Sequence, residues 1–451
     1  MNKLPELRRA AREIFDEALA AVDARRAVLR AVEFDGMTLR IGGETFELYG
    51  DAPKVYAVAL GKAAAAMASA LDERLGGALA GGVLSAPPFD FKLSERWRVY
   101  EGGHPLPNVE SMNAARAAFE LLRAADNPEA LVIFLVSGGG SAMMELPCDE
   151  RLTLEELRET NRLLVTCGAP IDEVNAVRRS LSAVKGGGLA SFAPHAAQVT
   201  LVISDVAADR AYDVASGPTL AAPVEGHSVK EIVARYGLAS QLPTTVLRAI
   251  EEASAHNLAQ APQKARRAFQ VLLDNESACE AAVHAARTRG FAVEYARDLV
   301  EQPVDEGASA LASRLAELCA REHLTGRPAC LISGGEFSCP VRGGGTGGRN
   351  SETALRVAFE SGRVAGACGA LGGSRHIVAL CAGTDGIDGN SPAAGALADE
   401  TTITRARAQG LDARKYLEES DAYTLFNQLG DAIHTGPTGT NVRDLRILLT
   451  G

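Results

Sequence analysis

Residues 330 to 350 hold the densest chemistry in the chain: Cys-Leu-Ile-Ser-Gly-Gly-Glu-Phe-Ser-Cys-Pro-Val-Arg-Gly-Gly-Gly-Thr-Gly-Gly-Arg-Asn. An apolar run stops in glycines, offers Glu336, and after a second glycine tract including Gly345 and Gly347 reaches Arg349 and Asn350 ahead of a predicted helix. Glycines bring backbone N–H groups close to an anion, and a helix N-terminus adds partial positive charge, so this pattern predicts a phosphate site with Arg349 as its clamp. Lys62 stands after an apolar run and a glycine in Tyr56-Ala-Val-Ala-Leu-Gly-Lys-Ala-Ala-Ala-Ala-Met67. A cation in a first helical turn opposes the helix dipole, which a bound anion would offset; a solvated surface lysine is the plainer alternative.

Further motifs follow other apolar runs. Val136-Ser137-Gly138-Gly139-Gly140-Ser141-Ala142 predicts an anion nest with two hydroxyl donors, or simply a tight turn. Asn175, Arg179, Ser182 and Lys185 or Gly186 fall three and four apart, as on one helix face that could line a cleft. Asp205, with Asp209 four residues on, suits Mg²⁺, which takes one or two carboxylates plus phosphate oxygens; helix capping would explain Asp equally simply. Asp385, Asp388 and Asn390 crowd a loop fit for nucleotide, metal or merely turn formation. His104, in Gly102-Gly-His-Pro-Leu-Pro107, reads as a turn residue although it could touch a substrate, and the eight histidines show no metal spacing.

Several familiar patterns fail. Tyr56 replaces the first glycine of a Walker A loop, and Met143 replaces the last glycine of a serine nucleophile elbow. The loop at Asp385 lacks the EF-hand order of acids. Gly343 to Gly348 spells Gly-x-Gly-x-x-Gly, but Pro340 and Arg342 interrupt the run before it and no acid ends a second strand downstream, so a dinucleotide fingerprint is rejected.

The elements that must position these residues are short apolar runs separated by helical patterns: Val55 to Leu60, Gly82 to Ser85, Leu131 to Val136, Val199 to Ser204, Ala268 to Leu273, Ala329 to Ser333, His376 to Cys381 and Leu445 to Leu449. Such unalternated runs predict parallel strands buried on both faces, hence an α/β protein with its site beyond the strands' carboxyl ends. The Pro- and Gly-rich tract Ser216 to Gly226 and the loose tract Ala255 to Gln263 are candidate boundaries, and the division is placed near residue 240, giving domains 1–240 and 241–451.

At 451 residues the chain has room for two such domains, and 47% hydrophobic with 23% charged residues is ordinary for a globular protein. A net charge of −11 argues against nucleic acid, and no apolar run approaches the ~18 residues of a membrane span. The first thirty residues read as an amphipathic helix without a signal-peptide core, so a cytoplasmic protein is expected. Eight cysteines without a Cys-x-x-Cys pair read as buried thiols.

Taken in order, Leu60-Gly-Lys-Ala, Glu101-Gly-Gly-His-Pro-Leu-Pro, Val136-Ser-Gly-Gly-Gly-Ser-Ala, Asn175-Ala-Val-Arg-Arg, Lys185-Gly-Gly-Gly-Leu, Ile203-Ser-Asp-Val, Ala215-Ser-Gly-Pro-Thr, Gly334-Gly-Glu, Gly343 to Asn350 and Gly383-Thr-Asp-Gly-Ile-Asp-Gly resemble the glycerate 2-kinases of the MOFRL type, formerly often labelled hydroxypyruvate reductases. The resemblance implies an amino-terminal Rossmann-like parallel sheet, a smaller carboxyl-terminal α/β domain, and an active site in the cleft between them. It implies transfer of a phosphoryl group from ATP, with Mg²⁺, to the 2-hydroxyl of D-glycerate. Lys62 and Arg349 match that family's catalytic basic pair. Ser137 to Ser141, Arg179, Lys185, Gly186, Glu336, Gly345, Gly347, Asn350 and Asp385 would bind substrate or nucleotide, and Asp205, Asp209 and Asp388 would bind metal. Two other functions are weighed: an NAD(P)H-dependent hydroxypyruvate reductase and a non-catalytic phosphosugar-binding module. A homodimer is left open.

Overall fold

The computed structural model describes residues 3–48, 54–220, 228–256, 265–322, 326–369 and 376–451. They form two compact units: Ala24–Leu272, and Met1–Asp23 together with Leu273–Gly451. Among the described residues no helix is long and apolar enough to cross a membrane.

The first unit begins with a small antiparallel sheet of β1 (Val32–Phe34), β2 (Thr38–Ile41) and β3 (Glu44–Glu47). Its main sheet has β4 (Val55–Leu60), β5 (Leu79–Ala86), β6 (Trp97–Glu101), β7 (Leu131–Ser137), β8 (Ala197–Ile203) and β9 (Arg267–Leu273), ordered β6-β5-β4-β7-β8-β9. The pairs from β6 through β8 are parallel, as the continuous apolar runs predict. The order reverses direction between β4 and β7, which is the switch point where the strand ends of a doubly wound sheet part to admit a ligand. Helix Val109–Ala124, started by a reciprocal Asn108 and Ser111 capping box, packs Ala114, Ala118 and Leu122 with Val58, Val132 and Phe134.

The expected boundary near residue 240 falls inside this unit. Helix Thr244–His256 contributes Val246 and Ile250 to a cluster with Leu157, Val174, Val177 and Ile232, and β9 then extends the main sheet. The candidate linker tracts lie partly outside the described residues, beyond Leu220 and beyond His256. The amphipathic helix Leu4–Ala21 belongs to the other unit because its buried face, Leu7, Ala11, Ile14, Phe15 and Ala18, joins a core with Ile332, Leu380 and Ile447. Arg8 of that helix pairs with Asp399 and Asp431.

The second unit holds β10 (Ala292–Tyr295), β11 (Ala329–Gly335), β12 (Ile377–Gly383), β13 (Gly395–Asp399), β14 (Ala432–Ile433) and β15 (Asp444–Thr450), ordered β10-β11-β15-β12-β13-β14. Only β10 and β11 pair in parallel; β15 lies antiparallel between β11 and β12. The all-parallel expectation is therefore corrected here. An unbroken apolar run reports burial on both faces but carries no information about direction. On β12, Val378, Leu380 and Ala382 face one cluster while Ile377 and Ala379 face another, so helices cover both sides. Cys279, Cys319, Cys330 and Cys381 are buried free thiols, as expected, whereas Cys148 is exposed.

Candidate functional site

In the first unit, the turns after β4 and β7 are joined at the switch point. Lys62 N–H donates to the Gly138 carbonyl at 2.8 Å, and Ala63 N–H donates to Ser137 Oγ at 3.0 Å. Gly61 has a φ of +117°, and a side chain there would overlap the Ser137 backbone, so glycine is required for this junction. Helix Ala64–Leu75 begins after an Ala63 cap, which places Lys62 just before the helix rather than inside its first turn. A Cβ on Gly139, whose φ is +81°, would lie 3.3 Å from Lys62 Cγ and 3.0 Å from His104 Cδ2. The Asp205 carboxylate occupies the space beside Gly138 that a Cβ would need. Lys62, His104 and Asp205, arriving from β4, β6 and β8, thus surround the two glycines that follow β7.

Other expected ligands of this unit are spent on structure. Ser137 is fully buried, and its hydroxyl accepts from Ala63 and faces the Leu60 carbonyl at 3.4 Å, so it stitches the two turns and is not an open donor. Ser141 Oγ meets Ser216 Oγ at 3.1 Å. The helix expected to carry Asn175, Arg179, Ser182 and Lys185 on one face ends at Ser180, because Ser182 leaves it to bridge Pro147. Lys185 is 4% exposed and pairs with the equally buried Glu145, which also accepts from Ser182 Oγ at 2.5 Å. Burial pushes the Lys185 ammonium below the usual lysine range against the opposing pull of Glu145. Lys185 is therefore an internal countercharge and not a hand for a ligand. Gly186, with a φ of +61°, sends its N–H to the Ser216 carbonyl at 3.1 Å, and Arg179 bonds Asp213 at 3.2 Å. Asp209 is exposed in the turn Ala208–Ser216.

In the second unit, the antiparallel insertion of β15 decides the site. Its first residue, Asp444, is in register with Gly335 at the end of β11 and with Gly383 at the end of β12. Asp444 is almost fully buried and grips Arg349, taking Nε at 2.5 Å and Nη2 at 3.1 Å, while Glu336 takes Nη2 at 2.6 Å. Burial alone would lower the Arg349 pKa, but the two carboxylates outweigh it and raise the value. Beneath this cluster Arg446, wholly buried, donates to Ser333 Oγ at 3.0 Å and the Gly335 carbonyl at 3.1 Å and lies over the Phe337 ring. Asp385 Oδ1 would come 3.1 Å from a Cβ on Gly383, adding a third carboxylate to these strand ends. Asp444 and Arg446 escaped sequence reasoning because a charge within or beside an apolar run carries no motif; their interruption of the final strand pattern was the available signal.

The glycine loop beside Arg349 is not the open cradle its composition predicts. Gly345 N–H donates to Glu419, Thr346 to Asp421, Gly347 to Asn390 and Gly348 to Ser351, at 2.8 to 3.2 Å. Side chains at Gly343 or Gly345 would overlap Glu419 or Asp421, so these glycines permit close loop packing. Asp388, expected as a metal ligand, is 1% exposed and caps helix Arg349–Gly369, accepting from Asn350 N–H at 2.8 Å, Ser351 N–H at 2.9 Å and Ser351 Oγ at 2.6 Å. Asn350 is likewise buried. A pocket of about 350 Å³ remains here, lined by Phe337, Cys339, Val341, Gly347, Arg349 and Asn390 among others. Among the described residues no three His, Cys, Asp or Glu side chains form a metal cage. Asp205 alone of the three expected carboxylates stays beside glycine backbone at a strand end, a donor set suited to Mg²⁺ shared with phosphate oxygens and water.

The molecule thus joins a doubly wound parallel sheet, with Lys62 and Asp205 at its switch point, to a mixed α/β unit with a carboxylate-held arginine at its strand ends. Residues 10–251 match the domain of unknown function DUF4147, and residues 329–444 match the MOFRL family. The chain is 35% identical to the glycerate 2-kinase of Pyrococcus horikoshii, covering 98% of this chain and 97% of that protein. It is 34% identical to a putative hydroxypyruvate reductase of Agrobacterium vitis, covering 98% and 94%. The crystal structure of a glycerate kinase from Thermotoga maritima superimposes with a TM-score of 0.79 at 33% identity, covering 99% of both chains. The chain belongs to this DUF4147 and MOFRL family, that of the glycerate kinases.

Proposed function

We propose that the protein is a glycerate 2-kinase that moves the γ-phosphoryl group of ATP to the 2-hydroxyl of D-glycerate. The observation that carries this reading is the gathering of Lys62 and Asp205 around Gly138 and Gly139 at the switch point, in a chain similar over its full length to proteins named for that activity. Phosphoryl transfer passes through a loose transition state whose charge spreads over the phosphoryl oxygens, so placed cations are the main catalytic device. Lys62 is fixed through its own backbone to Gly138 and supplies one such cation; Arg349, its fork aligned by Asp444 and Glu336, supplies another. Asp205 would hold Mg²⁺, which neutralises phosphate charge when bound.

The name of the Agrobacterium vitis relative favours a second reading, a nicotinamide-dependent reductase. Against it, the glycine loop after β11 has already committed the N–H groups of Gly345, Thr346, Gly347 and Gly348, which cannot cradle a pyrophosphate without being remade. Phosphorus NMR of ATP, Mg²⁺ and D-glycerate is expected to show 2-phosphoglycerate and ADP. NADH oxidation by hydroxypyruvate without ATP, and no phosphorylated product, would replace the kinase reading. Lys62→Ala should lower kcat about 10³-fold while leaving the melting temperature near that of the parent; a large loss of stability with normal turnover would remove Lys62 from the chemistry.

A further inference from the structure

β6 is the edge strand, three places from β7 in the order β6-β5-β4-β7, a lateral distance of about 14 Å at ordinary strand spacing. A residue following β6 would ordinarily stay at that edge. Instead the chain turns inward across the strand ends. Gly102 is pressed so closely on Ser85, near the end of β5, and on the Met143 backbone that any side chain would overlap both. Gly103 is packed as tightly against the Leu106 carbonyl and the start of helix Val109–Ala124, and its N–H donates to Ser111 Oγ at 3.0 Å. The two glycines and the Asn108 cap thereby deliver His104 to Gly139, where its ring edge would lie 3.0 Å (Cδ2) and 3.4 Å (Nε2) from a Cβ. The same glycine is flanked by Lys62, and His104 is itself exposed. A core histidine would be buried, and a residue serving only the turn would not need to cross the ends of β5 and β4.

We propose that His104 is a further catalytic residue, which contacts the acceptor hydroxyl and takes its proton during transfer. The step rests on the kinase reading and balances as follows. The hydroxyl O–H bond breaks and its proton passes to an imidazole nitrogen. The hydroxyl oxygen forms a bond to the γ-phosphorus, and the bond from that phosphorus to the β,γ-bridging oxygen breaks, its electron pair leaving with ADP.

The test uses the full chain with ATP, Mg²⁺ and D-glycerate, comparing the parent with His104→Gln and His104→Ala. His104→Gln is expected to lose about 10²- to 10⁴-fold in kcat with KM for D-glycerate changed only a few-fold and an unchanged thermal transition. Added imidazole is expected to restore part of the turnover of His104→Ala without affecting the parent, which a merely structural histidine would not allow. Turnover of His104→Gln within threefold of the parent, or loss of activity matched by unfolding and not rescued by imidazole, overturns the proposal. A parent that makes no 2-phosphoglycerate would instead defeat the kinase reading on which it rests.

Discussion

Replacing Glu145 by Gln isolates the most heavily buried ion pair of the first unit. Glu145 and Lys185 are each 4% exposed, and Glu145 also receives Ser182 Oγ, so the substitution strands an ammonium among apolar neighbours with only a neutral amide facing it. Breaking a buried pair from one side costs ~3–5 kcal/mol, whereas replacing both partners by apolar residues of similar volume is often close to neutral. Lys185 also starts the turn in which Gly186 and Gly187 donate to the carbonyls of Ser216 and Gly217, so the loss falls on tertiary joints as well as on charge. Trp97, the only tryptophan of the chain, is buried on Gly82 in the same unit and reports its unfolding selectively. Urea titrations followed by Trp97 fluorescence should show Glu145→Gln lowering the transition by that amount, and Glu145→Leu with Lys185→Met recovering most of it. The pH dependence has a definite sign. Burial depresses the folded-state pKa of Lys185, so between that value and the unfolded lysine's ~10.4 the unfolded chain binds the proton more strongly than the folded one does, and stability rises with pH across that window. Without Glu145, which holds the folded value up, that rise should begin at a lower pH. A single substitution costing under ~1 kcal/mol, or a double variant as unstable as the single, would refute the buried-pair account.

Two further outcomes follow from the strand ends. Gly61→Ala places a methyl group onto the Ser137 backbone at a φ of +117°, so the Trp97 transition should weaken by ~2–4 kcal/mol; an unchanged transition would mean that the junction between β4 and β7 is looser than described. Asp444→Asn removes the charged half of the grip on Arg349 but leaves Glu336, so kcat should fall on the order of 10²-fold with a smaller effect on folding; steady-state phosphorylation of D-glycerate checks this, and unaltered kcat would show that the guanidinium needs no such alignment.

Much of the framework was legible in the chain. All eight apolar runs are strands, and the motifs at Lys62, Ser137 to Ser141, Asp205 and Glu336 do lie at their carboxyl ends. This follows because burial on both faces leaves an unmistakable compositional mark, and glycine is the residue that permits the sharp exits. What each polar group does after that exit was not legible. Ser137, Lys185 and Asp388 have the types and spacing of ligands, yet each is buried against a partner distant in sequence: Ala63, Glu145, and Asn350 with Ser351. His104 shows the reverse, reading as a turn residue and arriving beside Lys62.

The order of residues by itself determined which segments are strands and helices, where glycine must stand, and which side chains could serve phosphate chemistry, because those properties depend on neighbours a few positions apart. Tertiary structure alone decided that β15 enters antiparallel and brings Asp444 to Arg349, that Gly345, Thr346 and Gly347 surrender their N–H groups to Glu419, Asp421 and Asn390, and that β6 returns His104 to Gly139. The physical reason is that a polar group's role is set by the partner it finds when desolvated, and here that partner is often forty to a hundred positions away.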